Sequence, residues 1–416
     1  MIESQTPCTH FSPLDPALAA PDEAAEVPSE VFWSTMRQMQ SECPVGFSDA
    51  HGKGQWIVTR HDDVCAAFKD WQSFTSTDGA APVLFDFGDV EFHLLPQDVD
   101  PPLHRGMRKL LNPYFHNDSV SGREEAIREL ARDLIAKFEQ RGSCEFMSEF
   151  AVPFPAQVFF GVYLGIPVAE LTEVLEWVDT LVMEPHKAGE VLAQLIPWSA
   201  GILASRRAEP RDDVVTALVS GDIGDRRLTE PEQIQTLTNL IIGGLETTAN
   251  GLGNAVKNLA ADPQLCQQVR ALEDKSKAVD EFLRFEAPAP GLGRTAAHDV
   301  ELRGQKLAAG DRVLFYLGAG NRDPEAFEDP DVIDIHRRNA SRHLSFGHGL
   351  HRCVGATLAE LEMRVALEEV LDRLQDLRLD PGHPMQWRTA FSRGPATLHL
   401  TFTANSAGES RDTVRR

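Results

Sequence analysis

The segment from Ser345 to Gly355, SFGHGLHRCVG, combines residue types that suit a soft metal centre. Three glycines flank a single cysteine, Cys353, just before a stretch that predicts a helix from Ala356. Glycine permits left-handed turns and a close backbone approach to a flat ligand. Backbone N–H groups at a helix start favour a thiolate. These features together are what a soft axial thiolate ligand to iron needs.

The histidines near this cysteine allow a second interpretation. His343, His348 and His351 resemble, together with Cys353, a compact zinc cluster, since zinc prefers imidazole and thiolate ligands. The spacing His-x4-His-x2-His-x-Cys fits no common zinc pattern. A zinc-binding protein stays as an alternative.

A second candidate site lies in the segment 230–261, which is apolar nearly all round its centre and predicts a helix through the protein interior. Its middle reads Gly243-Gly244-Leu245-Glu246-Thr247. Each glycine in a helix costs about 1 kcal/mol relative to alanine, so a local distortion is expected here. On the residues alone, Glu246 is a solvated or paired helix carboxylate.

Glu281 and Arg284 lie three residues apart on another predicted helix, close enough to form an ion pair. An exposed pair of this kind contributes only about 0.3–0.5 kcal/mol, so the spacing alone indicates little.

The loop FGHGLHRCVG resembles the haem-binding loop of the cytochrome P-450 family, in which Phe, Gly, a basic residue, Cys and Gly recur at this spacing. The resemblance extends over 55–402 and is closest to soluble bacterial members, including the camphor-hydroxylating type. It implies a mainly α fold with small β-sheets, in which haem lies between a long central helix and the Cys-ligand loop. It also implies haem b, dioxygen and external reducing equivalents.

The same resemblance assigns roles to residues outside the loop. Glu246 and Thr247 match the acid and the alcohol of the family's oxygen-activation motif, although many members have Asp at the first position. Glu281 and Arg284, with Arg337, match the residues that brace the haem loop. The residues expected to contact haem are His104, Arg108, Gly243, Gly244, Arg294, Phe346, His351 and Gly355.

Family position also gives a mostly apolar substrate pocket. Its expected members are Val83, Phe85, Phe87, Leu240, Ala289, Pro290, Gly291, Leu292, Phe391 and Ser392. The resemblance implies a monooxygenase that inserts one oxygen atom from dioxygen into a hydrophobic, terpenoid-like small molecule with few polar contacts. A peroxide-driven peroxygenase and a non-catalytic haem protein are the alternatives within this interpretation.

The charge balance limits the other partners. The chain has 63 acidic and 40 basic residues and a net charge of −23, which repels nucleic acid and anionic membranes. No apolar run reaches the length of a membrane-spanning helix, and no positively charged leader precedes Arg37, so a cytoplasmic protein is expected. The six cysteines lack CxxC spacing and are expected to stay thiols. We expect a monomer.

Electrons are expected to come from a separate acidic ferredoxin. The stretches 335–359 and 103–117 contain no acidic residue, and the resemblance places both around the haem. A local basic patch there can attract a partner that the net charge would repel. Its members are Arg105, Arg108, Lys109, Arg337, Arg338, Arg342 and Arg352.

The order of elements indicates one domain. Residues 1–28 predict a disordered arm, 29–404 a single domain and 405–416 a flexible tail. Apolar periodicity predicts helices over 61–71, 123–139, 167–183, 230–261 and 356–374, with Asp62 or Asp63 as a cap for the first. Strands are expected at 55–60, 300–302, 312–316 and 397–402.

Overall fold

The structure of the protein is a computed structural model that describes residues 29–48, 54–81, 91–166, 171–388 and 392–405. The arm predicted for 1–28 and all but the first residue of the tail predicted for 405–416 lie outside these ranges. The described α-helices are α1 (Ser29–Glu42), α2 (His61–Lys69), α3 (Leu103–Phe115), α4 (Asn117–Ser121), α5 (Glu124–Ala136), α6 (Pro153–Gln157), α7 (Leu171–Met183), α8 (Ala188–Ala208), α9 (Val214–Ser220), α10 (Glu230–Ala261), α11 (Pro263–Ala271), α12 (Ser276–Phe285), α13 (Leu317–Gly320) and α14 (Ala356–Arg373).

Short strands make four small sheets. The strands are β1 (Val45–Ser48), β2 (Gln55–Val58), β3 (Phe74–Thr75), β4 (Ser143–Glu145), β5 (Leu292–Ala296), β6 (Val300–Leu302), β7 (Gln305–Leu307), β8 (Arg312–Phe315), β9 (Leu374–Leu379), β10 (Gln386–Arg388), β11 (Gly394–Thr397) and β12 (His399–Ala404). The largest sheet has the order β1-β2-β8-β5-β3, and its β2–β8 pair is parallel. The other sheets are β4-β12-β9, β10-β11 and β6-β7. The expected architecture, mainly α with small sheets, is confirmed.

The predicted interior helix is α10, and its bounds agree with the prediction. Thr229 and Glu232 form a capping box at its start, where the Thr229 hydroxyl accepts from the Glu232 N–H at 3.4 Å and the carboxylate accepts from the Thr229 N–H at 2.7 Å. Most residues of α10 are buried within the main hydrophobic core. Among the described residues, no helix has the length and apolar character that crossing a membrane requires.

The start of α2 differs from the prediction. Neither Asp62 nor Asp63 caps this helix. Instead the backbone N–H of His61 donates to Asp323 Oδ2 at 3.0 Å, and Arg60 pairs with Asp323 Oδ1 at 2.8 Å. The cap is thus supplied from a distant part of the chain, which local sequence patterns do not reveal.

A buried ion triad organises the chain between α12 and the cysteine loop. Glu281 and Arg284 are inaccessible to water and form two hydrogen bonds, of 2.7 and 2.8 Å. Arg337 Nε contacts both Glu281 oxygens, at 3.2 and 3.1 Å, and the Asp334 N–H donates to the same carboxylate at 2.8 Å. Both guanidinium groups also donate to the Val332 carbonyl oxygen. The triad therefore fixes the course of residues 328–337.

Asn321 continues this framework to the cysteine loop. Its carbonyl oxygen accepts a hydrogen bond from Arg284 at 2.9 Å. Its side-chain Oδ1 accepts from the Leu344 N–H at 2.6 Å, and its Nδ2 donates to Ser345 Oγ at 2.9 Å. Ser345 Oγ in turn donates to the Leu283 carbonyl at 2.6 Å. The loop entrance is therefore held by α12 and by the triad together.

We expect Glu281→Gln to destabilise the protein strongly, because it leaves two buried guanidinium groups without a counter-charge. The loss in unfolding free energy should be about 3–5 kcal/mol, measured by urea denaturation. Arg37→Gln is the control, since it breaks an exposed ion pair with Asp331 and should cost less than about 1 kcal/mol. Equal effects of the two substitutions would contradict a structural role for the triad.

Candidate active site

The loop that carries Cys353 depends on two left-handed glycines. Gly347 has φ +70° and Gly349 has φ +68°. A Cβ atom on Gly349 would also overlap the Phe68 carbonyl oxygen of α2. The loop closes where the Cys353 N–H donates to the Phe346 carbonyl at 2.8 Å. The glycines thus allow the chain to turn tightly and present the cysteine at a defined place.

Cys353 opens onto a large cavity, three residues before α14. Burial raises the pKa of its thiol, although the Gly355 N–H and the charges of Arg108 and Arg352 act in the opposite direction. The position before a helix predicted a lowered pKa for this thiol, and desolvation acts against that effect. The positive charge of a coordinated metal would favour the thiolate.

The zinc alternative is not supported by the geometry. In the part of the chain that the structure describes, no group of three or more His, Cys, Asp and Glu side chains is arranged to hold a metal ion. His343 lies instead 3.8 Å from Asp280, and His351 packs against His104.

The cavity has about 1530 Å³ of space that protein atoms do not fill, part of it open to solvent. The loop, α3, α10 and α14 contribute most of its wall. The lining includes Cys353, Phe346, Gly347, His351 and Gly355 from the loop, and His104, Arg108, Leu240, Gly243, Gly244, Thr247, Ala289 and Leu292 from elsewhere.

A cluster of basic side chains lies at one edge of this cavity. His104 is 2% exposed, and both of its ring nitrogens are buried without a hydrogen-bond partner among the described residues. Its ring centroid is 4.2 Å from that of His351. Arg108 donates to the Arg352 carbonyl at 2.6 Å. Arg294 is buried beside the Phe68 ring, without belonging to the cavity lining.

Burial and the neighbouring positive charges disfavour protonation of the two histidines of this cluster. Burial, followed by the charge of Arg108, lowers the pKa of His104 to about 4. Burial, Arg294, His104 and Arg108 together lower the pKa of His351 to about 2. Burial also lowers the pKa of Arg294 to about 10, although Asp100 and Asp98 oppose the effect. An anionic group at this edge would relieve the repulsion and satisfy the His104 nitrogens.

The helix α10 presents bare backbone to the cavity. It runs unbroken through Gly243 and Gly244, so the predicted distortion does not interrupt the helix. A Cβ atom on Gly243 would contact nothing within 4 Å, because this position faces open space. The glycines therefore serve to widen the cavity. One turn further on, Thr247 Oγ1 donates to the Gly243 carbonyl at 2.9 Å and also lines the cavity.

Glu246 lies beside this glycine face but is directed into the protein. It is 9% exposed and accepts a long hydrogen bond of 3.5 Å from Asn250 Nδ2. Asn250 also donates to Ser392 Oγ at 2.7 Å. The sequence alone suggested a solvated or paired carboxylate, and in the structure Glu246 is buried and hydrogen-bonded.

The structure brings some of the residues predicted for the substrate pocket to the cavity wall. Leu240, Ala289 and Leu292 line the cavity. The described lining does not include Pro290, Gly291 and Ser392, and their place in the substrate pocket stays a prediction. Ser392 is 1% exposed and hydrogen-bonded, and a Cβ atom on Gly291 would meet Leu314. The remaining expected members, Val83, Phe85, Phe87 and Phe391, lie outside the described residues.

The sequence interpretation missed several lining residues. Asn239 lies one helical turn before Gly243 and was detectable from the helix period. Gln97, Phe159 and Glu362 come from other parts of the chain, and only the tertiary structure brings them to the cavity. Burial raises the pKa of Glu362 well above its usual value.

Five of the seven residues expected in the basic patch are at the surface: Arg105, Lys109, Arg338, Arg342 and Arg352. Arg337 is not, because it belongs to the buried triad, and Arg108 is half-buried. Arg352 lies 3.7 Å from Glu360. The bond from Arg108 to the Arg352 carbonyl joins the two segments into one surface beside the loop.

Known proteins resemble this chain over most of its length. Residues 275–400 match the family model described as cytochrome P-450. Steroid C26-monooxygenase of Mycolicibacterium smegmatis is 32% identical over 381 residues, which are 89% of this chain and 92% of that protein. Cytochrome P-450-terp of Pseudomonas sp. is 30% identical over 408 residues, which are 90% of this chain and 94% of that protein. A solved structure of a mutant of P-450 EryK in complex with erythromycin B has a TM-score of 0.82 and 29% identity, and the match covers 91% of this chain and 97% of that one.

Proposed function

The chain belongs to the cytochrome P-450 family, an oxidoreductase family, and from that premise we propose a haem-thiolate monooxygenase whose iron ligand is Cys353. The observation that carries the proposal is the position of the Cys353 thiol. The thiol opens onto a cavity whose wall includes the glycines of α10, and a buried basic cluster lies at one edge of this cavity.

The residues present fit haem b. Its anionic propionates would lie beside the basic cluster of His104, Arg108, Arg294 and His351. Both buried ring nitrogens of His104 lack a hydrogen-bond partner among the described residues, and a propionate would supply one. Gly243 and Gly244 leave room for a flat macrocycle, and Phe346 and Gly355 flank the ligand cysteine. When bound, haem would supply the oxidation chemistry, in which dioxygen, two electrons and two protons give one oxygen atom inserted into the substrate and one molecule of water.

Thr247 and Glu246 would supply protons. The Thr247 hydroxyl donates its own proton to the Gly243 carbonyl, so its lone pairs are free to accept a hydrogen bond from the cavity. Glu246 Oε1, joined to Asn250, lies next to it in the chain and can exchange protons with the interior. The pair would thus hold and direct a proton at Thr247 Oγ1.

The substrate is proposed to be a hydrophobic, terpenoid-like small molecule. Leu240, Ala289, Leu292 and Phe159 give that part of the cavity an apolar wall. The relative named as a steroid C26-monooxygenase acts, by its name, on a hydrophobic skeleton. The cytoplasmic location and the monomeric state stay predictions.

Electrons are proposed to come from an acidic ferredoxin that binds the basic surface beside the loop. Arg105, Lys109, Arg338 and Arg342 are exposed and form no ion pair among the described residues. Their charge would attract an acidic protein although the whole chain carries −23.

Cys353→His should abolish the red-shifted absorption band of the reduced, CO-bound protein, because a neutral imidazole cannot replace the electron density of a thiolate. Product formation should disappear with it. Cys65→Ala is the control, since Cys65 is partly exposed, is not part of the cavity lining and should leave the band intact. A folded Cys353→His variant that keeps the band and the activity would overturn the proposal.

Thr247→Ala should separate oxygen consumption from product formation. The variant should keep its CO band and nearly its rate of reduction, while product per electron falls and hydrogen peroxide rises, because a methyl group cannot direct the proton. Thr248 also lines the cavity, so Thr248→Ala is the matched control. Uncoupling found only in Thr248→Ala would show that the roles of the two threonines are reversed.

Turnover that is faster with hydrogen peroxide than with dioxygen and supplied electrons would instead favour a peroxygenase.

Arg338→Gln combined with Arg342→Gln should slow reduction by an acidic ferredoxin about tenfold at low salt, and the difference should shrink as salt rises. Stopped-flow reduction over a range of ionic strength measures this effect. The control removes the same charge at Arg226 and Arg227, which lie in the α9–α10 connection and already contact acidic residues. Equal slowing by both double variants would place the docking site elsewhere.

A further inference from the structure

Two neutral amide side chains in the cavity wall have no part in the proposed chemistry. Gln97 and Asn239 both line the cavity. The other hydrogen-bonding groups of the lining belong to the basic cluster, the cysteine loop, α14 or the threonines of α10. Pro96 and Leu240, the chain neighbours of Gln97 and Asn239, also line the cavity and offer no side-chain hydrogen bond.

A hydrogen bond brings the two amides to the same end of the cavity. Asn239 Nδ2 donates to the Leu95 carbonyl oxygen at 3.1 Å, and Leu95 lies two residues before Gln97. A carbonyl oxygen can only accept, so this contact identifies the amide nitrogen and leaves Oδ1 on the other side of the group. Asn239 Oδ1 and the Gln97 amide form no hydrogen bond with the described residues. Each is thus available to a ligand.

The geometry of α10 sets the separation of Asn239 from Gly243 and Thr247. Asn239, Gly243 and Thr247 are spaced by four residues and line the same cavity, so they form one stripe along α10. With a rise of 1.5 Å per residue, Asn239 lies about 6 Å from Gly243 and about 12 Å from Thr247 along the axis. A group bound by Asn239 is therefore held about 12 Å along the helix axis from Thr247, the residue proposed to direct protons.

We propose that Asn239 and Gln97 anchor a hydroxyl group of the substrate, so that the substrate is a hydrophobic alcohol oxidised at a carbon remote from that hydroxyl. The inference rests on the proposed function and narrows its substrate class. Asn239 Oδ1 is an acceptor and matches the hydroxyl proton, while the Gln97 amide can serve the hydroxyl oxygen. A substrate without this group would remove water from both amides and leave them unpaired, which is unfavourable.

The test compares two ligands that differ only in the hydroxyl, 4-cyclohexylcyclohexanol and the hydrocarbon bicyclohexyl. Both are titrated into the haem-loaded protein, with the spin-state change and isothermal calorimetry as measures of binding. In Asn239→Leu and in Gln97→Leu, the affinity of the alcohol relative to the hydrocarbon should fall about three- to tenfold from the wild-type ratio. Gln97→Leu breaks no hydrogen bond within the described residues and so separates the anchor from any structural role of the Asn239 contact.

Phe159→Leu is the matched control, because Phe159 lines the same cavity and offers no hydrogen bond. It should weaken both ligands alike and leave their ratio unchanged. The same ratio in wild type, Asn239→Leu and Gln97→Leu would overturn the anchor, as would an equal fall in Phe159→Leu. Failure of the proposed function has a different signature, namely the absence of bound haem or of the thiolate CO band in the wild-type protein.

Discussion

One carboxylate and two guanidinium groups, all nearly inaccessible to water, lie between α12 and the segment that leads to the cysteine loop. Removing three charges from water is costly, and the cost is offset only when every hydrogen-bonding atom has a partner. Glu281, Arg284 and Arg337 meet this condition through one another and through carbonyl groups of residues 321–332. The irregular chain before the loop is therefore fixed without a helix or a strand.

The position of the cysteine follows from this framework. Asn321 transmits the constraint from the triad to Leu344, and the two left-handed glycines then turn the chain so that Cys353 faces the cavity. The carbonyl of Phe68 lies so close to Gly349 that no side chain fits there. A thiol that would be an inert buried group in another setting is thus held ready for a metal.

Electrostatics around the cavity differ from those of the whole chain. The protein carries a net charge of −23. Four basic side chains nevertheless lie close together at one edge of the cavity, namely His104, Arg108, Arg294 and His351. Burial keeps both histidines neutral and leaves two nitrogens of His104 unsatisfied. This arrangement is unfavourable in the protein alone and becomes favourable with an anionic ligand, since charge-assisted hydrogen bonds are strong in a poorly hydrated site.

The sequence by itself determined the elements with a strong local signal, namely the bounds of α10 and the loop around Cys353. Periodicity and short-range spacing specify these, because the atoms involved are neighbours along the chain. The tertiary structure alone decided that Asp323 caps α2, that Phe159 and Glu362 line the cavity, and that Gln97 joins Asn239 there. Such contacts depend on how separate segments pack. The environment of the Cys353 thiol depends on packing for the same reason, since desolvation by distant residues acts against the local effect of a helix start.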